Sequence, residues 1–244
     1  MSLFSPSGGL VYHLRALRFR NELWAAYRAA LAGWLEQCLP AGDELILVRP
    51  SAGHCLPLEQ LGRFRRVLVL EPDPLARWLL HWRLPHVRLE LEHRDSLLGP
   101  LLNGSPGLDA LLARRPRASV LFCNLLGQLH WDLPDEQQQQ FRSELERRVL
   151  PLLASRSWAS FHDRWSIELE APQAETLPPM LRFERRPSDD ELGAAYFGAE
   201  GAPVTALDHG TTGLFPEAWP RSYFAWPLTP RALHVVEGVS GAPL

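Results

Sequence analysis

The sequence predicts an α/β fold: a three-layer sandwich around a mostly parallel, seven-stranded sheet with a terminal antiparallel strand, preceded by an N-terminal helix. Three observations carry this. Apolar runs without polar alternation, at 44–48 and 67–70, suit strands covered on both faces. Segments with apolar residues at helical spacing separate successive runs, the pattern of strand–helix–strand crossovers. The last two runs, 222–226 and 232–237, are joined by a short linker with Pro227 and Pro230, which fits an antiparallel pair.

A chain of 244 residues can bury the core of one large domain. We expect a lead-in over residues 1–13, opened by Ser, Pro and Gly, and a single domain over 14–244. Trp24, Tyr27, Leu31, Trp34, Leu35 and Cys38 fall at helical spacing, predicting one amphipathic helix over 14–38 that stops at Pro40 and Gly42. The first strand follows directly. After a turn of small residues (Ser51, Ala52, Gly53), a short helix over 56–64 leads to the second strand. Pro74 suits the first turn of the next helix, where its missing N–H would be unpaired anyway. Residues 87–91 alternate apolar residues with Arg88 and Glu90, predicting a third strand exposed on one side and followed by Asp95 and Ser96. A helix over 108–114, a fourth strand over 118–124 and a helix over 135–153 continue the alternation. A fifth strand, 158–161, ends in His162, Asp163 and Arg164. Pro172, Pro178, Pro179 and Pro187, with the acidic cluster at 189–191, mark an irregular excursion over 167–221 before the closing strands.

Composition narrows the chemistry. All 25 basic residues are arginine, which excludes a P-loop lysine and any Schiff-base lysine. A net charge of −3 gives no global field for nucleic acid. The three cysteines are odd in number and lack C-x-x-C spacing, so they read as buried thiols of a reducing compartment. No charged-then-apolar leader and no apolar run near the ~20 residues needed to span a bilayer is visible, which points to a cytoplasmic protein without membrane partners. The histidines lack metal-ligand spacing, and no G-x-S-x-G elbow appears.

Five strands alternating with helices and then a closing strand pair resemble the Rossmann-like sheet of class I S-adenosylmethionine-dependent methyltransferases, over nearly the whole chain. The resemblance implies S-adenosylmethionine as cofactor and a methyl acceptor, which the acidic net charge makes a small molecule before a nucleic acid. It places the methionine end of the cofactor at Pro50, Ser51, Ala52, Gly53 and His54, where small side chains let backbone approach a ligand. Glu71, with Pro72, falls at the ribose-binding acid, whose two oxygens accept from vicinal hydroxyls. Asp95 and Ser96 fall beside the adenine, and Asn124, Leu125 and Gly127 near the sulfonium and the acceptor.

The first motif of that family usually opens with an acid and carries two or three glycines, whereas here Arg49 precedes a loop whose one glycine is Gly53. A catalytically inactive methyltransferase-like scaffold or ligand-binding protein therefore stands as the alternative. A nicotinamide enzyme would also use Glu71, but the chain lacks G-x-G-x-x-G. His162, Asp163 and His209 are candidates for a general base, His162 oriented by Asp163 and His209 carried by a glycine-bounded loop over 209–213. Residues such as His162 and Asp163 more often pair locally, and the 209–213 loop reads equally as an ordinary connector.

Overall fold

The computed structural model describes residues 9–126, 133–169, 176–198 and 206–241. The chain opens with α1 (Gly9–Phe19) and α2 (Ala25–Cys38), followed by β1 (Gly42–Val48), α3 (Leu58–Leu61), β2 (Phe64–Leu70), α4 (Pro74–Arg83) and β3 (Leu89–Glu92). Then come α5 (Leu98–Asn103), α6 (Leu108–Arg114), β4 (Ser119–Cys123), α7 (Asp135–Glu144), a π-helical turn (Leu145–Val149), α8 (Leu150–Leu153) and β5 (Trp158–Glu168). The remainder is β6 (Met180–Phe183), α9 (Asp189–Phe197), β7 (Leu207–Asp208), β8 (Arg221–Thr229) and β9 (Ala232–Ser240).

One sheet runs β3-β2-β1-β4-β5-β9-β8-β6, with β7 added beside β5. Its first five strands pair in parallel and reverse direction of travel at the β1–β4 boundary, the order of a Rossmann-like sheet. The expected seven strands are all present, and β6 and β7 make nine. The expectation of a mostly parallel sheet needs correction, because every ladder from β5 onward is antiparallel.

Each face of the sheet has its own core. On one side Leu45, Leu47, Val67 and Val69 meet Trp24, Tyr27, Leu31 and Trp34 of the N-terminal segment. On the other, Ile46, Val48, Val120 and Phe122 meet Leu101, Leu108, Phe141 and Leu145. Successive strand residues thus feed opposite layers, as the two-residue period requires.

Three boundaries differ from expectation. The predicted helix over 14–38 is two helices, and the first begins at Gly9, inside the predicted lead-in. A single 25-residue helix would extend about 37 Å; the break at 20–24 instead lets Trp24 turn fully inward, where Nε1 donates to Leu228 O at 3.3 Å. The fifth strand continues through the charged triplet to Glu168, because Asp163 and Arg164 find partners within the fold. Within the excursion, Ser188 and Glu191 form a capping box that starts α9.

Candidate functional site

The first loop, Glu71, Asp95 and Asn124 follow the carboxyl ends of β1, β2, β3 and β4. The chain leaves β1 through Arg49 and Ser51, both at φ +52°, and Gly53 at φ +65°. A Cβ on Gly53 would stand 2.8 Å from Leu80 Cδ1 and 2.9 Å from Leu58 Cδ2, so glycine is required by space as well as by dihedral angle. The end of β4 carries Asn124 at φ +46°. Among the described residues, these three non-glycine residues are the full set with positive φ, and all lie at the ends of the two strands that flank the reversal in strand order.

Glu71, buried at the end of β2, ties this edge together. Its Oε2 accepts from Ser51 N at 2.9 Å and its Oε1 from Asp73 N at 3.0 Å. Burial raises its pKa, and the two N–H groups and Arg49 oppose the rise. Arg77 Nη1 donates to the carbonyls of Glu71 and Pro72, at 2.7 and 2.8 Å, fixing the turn into α4. A shallow, solvent-open cleft lies between Arg49, Pro72, Asp95 and Ser96. Asp95 is engaged as a cap: its Oδ1 accepts from Leu97 N and Leu98 N, and its Oδ2 from Gly99 N at 2.7 Å. Ser96 Oγ donates to Arg94 O.

Ala52 and His54 are buried. His54 Nε2 lies 3.1 Å from His13 Nδ1 of α1, and its Nδ1 lies 3.2 Å from Arg83 Nη1. Burial first, then Arg83, pushes the His54 pKa down to about 3. Arg83 also donates to Ala52 O, so α1, the first loop and α4 are clamped together.

Asn124 pairs with Asp163 in both directions: Nδ2 donates to Asp163 Oδ2 at 3.1 Å, and Oδ1 accepts from Asp163 N at 2.9 Å. Leu125 is buried in the core, and Gly127 lies outside the described residues. His162 and Asp163 do not face each other. His162 is fully buried on the opposite side of the sheet, with Nδ1 3.1 Å from Ser160 Oγ and Nε2 3.9 Å from Glu237 Oε2. Burial lowers its pKa to about 4. Asp163 instead faces His234 of β9, with Nδ1 3.2 Å from Oδ1. His234 Nε2 stands 3.3 Å from Ser166 Oγ, which is 2.7 Å from His209 Nε2. Burial raises the Asp163 pKa, but His234, His209 and Asn124 outweigh it and hold the group at about 2. His209 and Asp163 therefore share one cluster through His234 and Ser166. Sequence reasoning passed over both of these, although a histidine inside the apolar closing run was a visible signal.

Tyr12, Trp24 and Tyr27 close the cluster from the helical side. Tyr27 stacks on Trp226 at 5.1 Å, and Trp226 meets His234 edge-on at 5.7 Å. Tyr27 Oη and Trp226 Nε1 are buried without a hydrogen-bond partner. All three cysteines are buried, and Cys55 Sγ accepts from Tyr12 Oη at 3.8 Å. Among the described residues, no group of three His, Cys, Asp or Glu is arranged to hold a metal ion, and no helix is long and apolar enough to cross a membrane.

No protein-family model matches this chain, and no curated protein matches it. Solved structures similar to it include CalS10, an amino pentose methyltransferase of Micromonospora echinaspora with SAM bound: 20% identity over 64% of this chain, TM-score 0.35. DesVI of Streptomyces venezuelae is 18% identical over 73% of this chain and 64% of its own, TM-score 0.36. DhpI in its SAM–HEP complex is 14% identical over 93% and 94%, TM-score 0.41. The chain spans 56% of the length of CalS10. With identities of at most 20% and TM-scores below 0.5, these similarities bear on neither the chemistry nor the acceptor of this chain.

Proposed function

We propose that this protein is an S-adenosylmethionine-dependent methyltransferase acting on a small-molecule acceptor. The observation that carries the reading is the backbone strain at Arg49, Ser51 and Asn124, confined to the carboxyl ends of β1 and β4. Left-handed backbone costs a non-glycine residue about 1–2 kcal/mol and persists where surrounding structure enforces it, above all at ligand sites. Open α/β sheets bind ligands at this place, outside the carboxyl ends of the strands where the order reverses.

The residues present fit the cofactor at Glu71 and in the first loop. The carboxylate can accept further hydrogen bonds, since each oxygen has a second lone pair beyond its bond to Ser51 N or Asp73 N. Gly53 lets the loop turn at φ +65° while its backbone packs against Leu80 and Leu58. Asp95 acts indirectly, by fixing the wall of the cleft. The cofactor would supply a methyl group already attached to its leaving group, so the protein has to bind, orient and exclude water. Asn124 and Asp163 hold the end of β4 against β5, where the acceptor would be presented.

A second reading, a non-catalytic scaffold of the same fold, is favoured by one specific observation: both Glu71 oxygens already bond backbone. Calorimetry decides between the two. S-adenosylmethionine and S-adenosylhomocysteine should bind with micromolar affinity and NAD should not, and Glu71→Ala should weaken binding at least tenfold. Binding of none of the three would leave the scaffold.

A further inference from the structure

The cluster joining Asp163 to His209 has an internal order that the methyl-transfer reading does not explain. Four groups on β5, β9 and the segment after β7 are linked in one line. Asp163 Oδ1 lies 3.2 Å from His234 Nδ1, His234 Nε2 lies 3.3 Å from Ser166 Oγ, and Ser166 Oγ lies 2.7 Å from His209 Nε2. The carboxylate end is buried, and the antiparallel pairing of Ser166 with His234 and of Ser166 with Leu207 sets the spacing.

We propose that Ser166 and His234, set between His209 and Asp163, form a proton relay by which His209 takes up the proton an acceptor releases, with the charge coming to rest on His234 beside Asp163. The proposal rests on the methyl-transfer reading, because it needs an acceptor whose X–H bond breaks as the new X–C bond forms.

With both histidines neutral, one arrangement of hydrogens fits all three contacts. An ionised Asp163 accepts only, so His234 carries its proton on Nδ1 and leaves Nε2 as an acceptor. Ser166 then donates from Oγ to His234 Nε2 and accepts from His209, which must carry its proton on Nε2. That tautomer makes His209 Nδ1 the proton-accepting nitrogen. In the transfer, the acceptor's proton moves to His209 Nδ1, the Nε2 proton of His209 moves to Ser166 Oγ, and the Ser166 proton moves to His234 Nε2. The X–H electron pair stays on the acceptor atom and enters the bond to the methyl group. His209 and Ser166 end neutral, and the imidazolium of His234 faces the Asp163 carboxylate.

The surrounding charges favour that end state. Asp163 is the anion facing His234. Tyr12 and Tyr27, across from it on α1 and α2, stay neutral because burial raises their pKa values. The neighbouring cation, Arg164, is neutralised by Asp208 and Asp189. Asp163 acts here as a positioning residue, through His234.

The tautomers test the relay without knowledge of the acceptor. In the full chain with 15N-labelled histidine, NMR at neutral pH should show His234 protonated on Nδ1 and His209 on Nε2. Acidification should shift both rings in a single coupled step, Ser166→Ala should split that step into two independent ones, and Ser166→Thr should restore it. The opposite tautomer on either ring, or independent titration in the native protein, overturns the relay even if Ser166→Ala fails to fold. Calorimetry on the same native sample separates the two failures: absence of S-adenosylmethionine binding removes the acceptor and with it the relay's role, whatever the tautomers.

Discussion

Gly53 shows how one residue carries the geometry of the first loop. Any side chain there meets two obstacles at once, a left-handed φ of +65° and the methyl groups of Leu80 and Leu58. Gly53→Ala should destabilise the protein by about 2–5 kcal/mol, the sum of an αL penalty and core overpacking, read as a lower urea midpoint at unchanged m-value. The sequence marked this glycine and Glu71 correctly as residues of the sheet edge, because a small-residue turn and a carboxylate after buried strands have few other places to go. Their hydrogen bonds were not legible. That Asp95 closes on α5 and Asn124 on Asp163 depends on backbone N–H groups and side chains brought together by the fold. Pairing His162 with Asp163 failed for a simpler reason: neighbours in a strand point to opposite faces, and the strand was placed four residues long instead of eleven.

At the scale of elements, apolar runs located the seven main strands, and what they missed were polar stretches that are nonetheless ordered. β5 continues through His162, Asp163 and Arg164 because partners from β9, β7 and α9 meet each charge, information absent from the strand itself. The helix over 135–153 contains a π-helical turn just before Pro151, which has no N–H to offer a regular α-helical bond. The packing of α2 on the sheet makes a sharper demand. A Cβ on Gly238 of β9 would lie 2.9 Å from Phe224 and 3.1 Å from Trp34. Trp34 and Phe224 are already in edge contact at 5.6 Å, so neither ring has room to retreat. Gly238→Val should therefore push α2 off the strands at a cost of about 1–3 kcal/mol. Chemical denaturation would measure the loss, and a shift in Trp34 fluorescence should accompany it; an unchanged midpoint would mean that the helix can slide.

At the scale of the whole molecule, the sheet buries ionisable groups on both faces, and this fixes how stability depends on pH. His54 on one face and His162 on the other are held neutral, with pKa values pushed down to about 3 and about 4, in both cases by burial first. Unfolded, each would titrate near 6.5. A histidine whose folded pKa is depressed contributes stability that is complete above its unfolded pKa and is lost as pH falls toward the folded value. Asp163, held at about 2 against its burial by His234, contributes in the same direction lower down, from about 4 to about 2. Glu71 acts with the opposite sign, since its raised pKa means that protonation relieves a buried charge, and it offsets part of the loss only near its own titration. Between roughly pH 6 and 5 these two histidines dominate together with His13, whose pKa burial also lowers. Unfolding there should take up about two to three protons, seen as a steady fall in unfolding free energy with decreasing pH in urea titrations. His162→Gln, which keeps a partner for Ser160 but cannot titrate, should reduce the uptake by about one proton. A slope unchanged by that substitution would show that His162 is already protonated in the fold, and that its 3.9 Å approach to Glu237 is an ion pair.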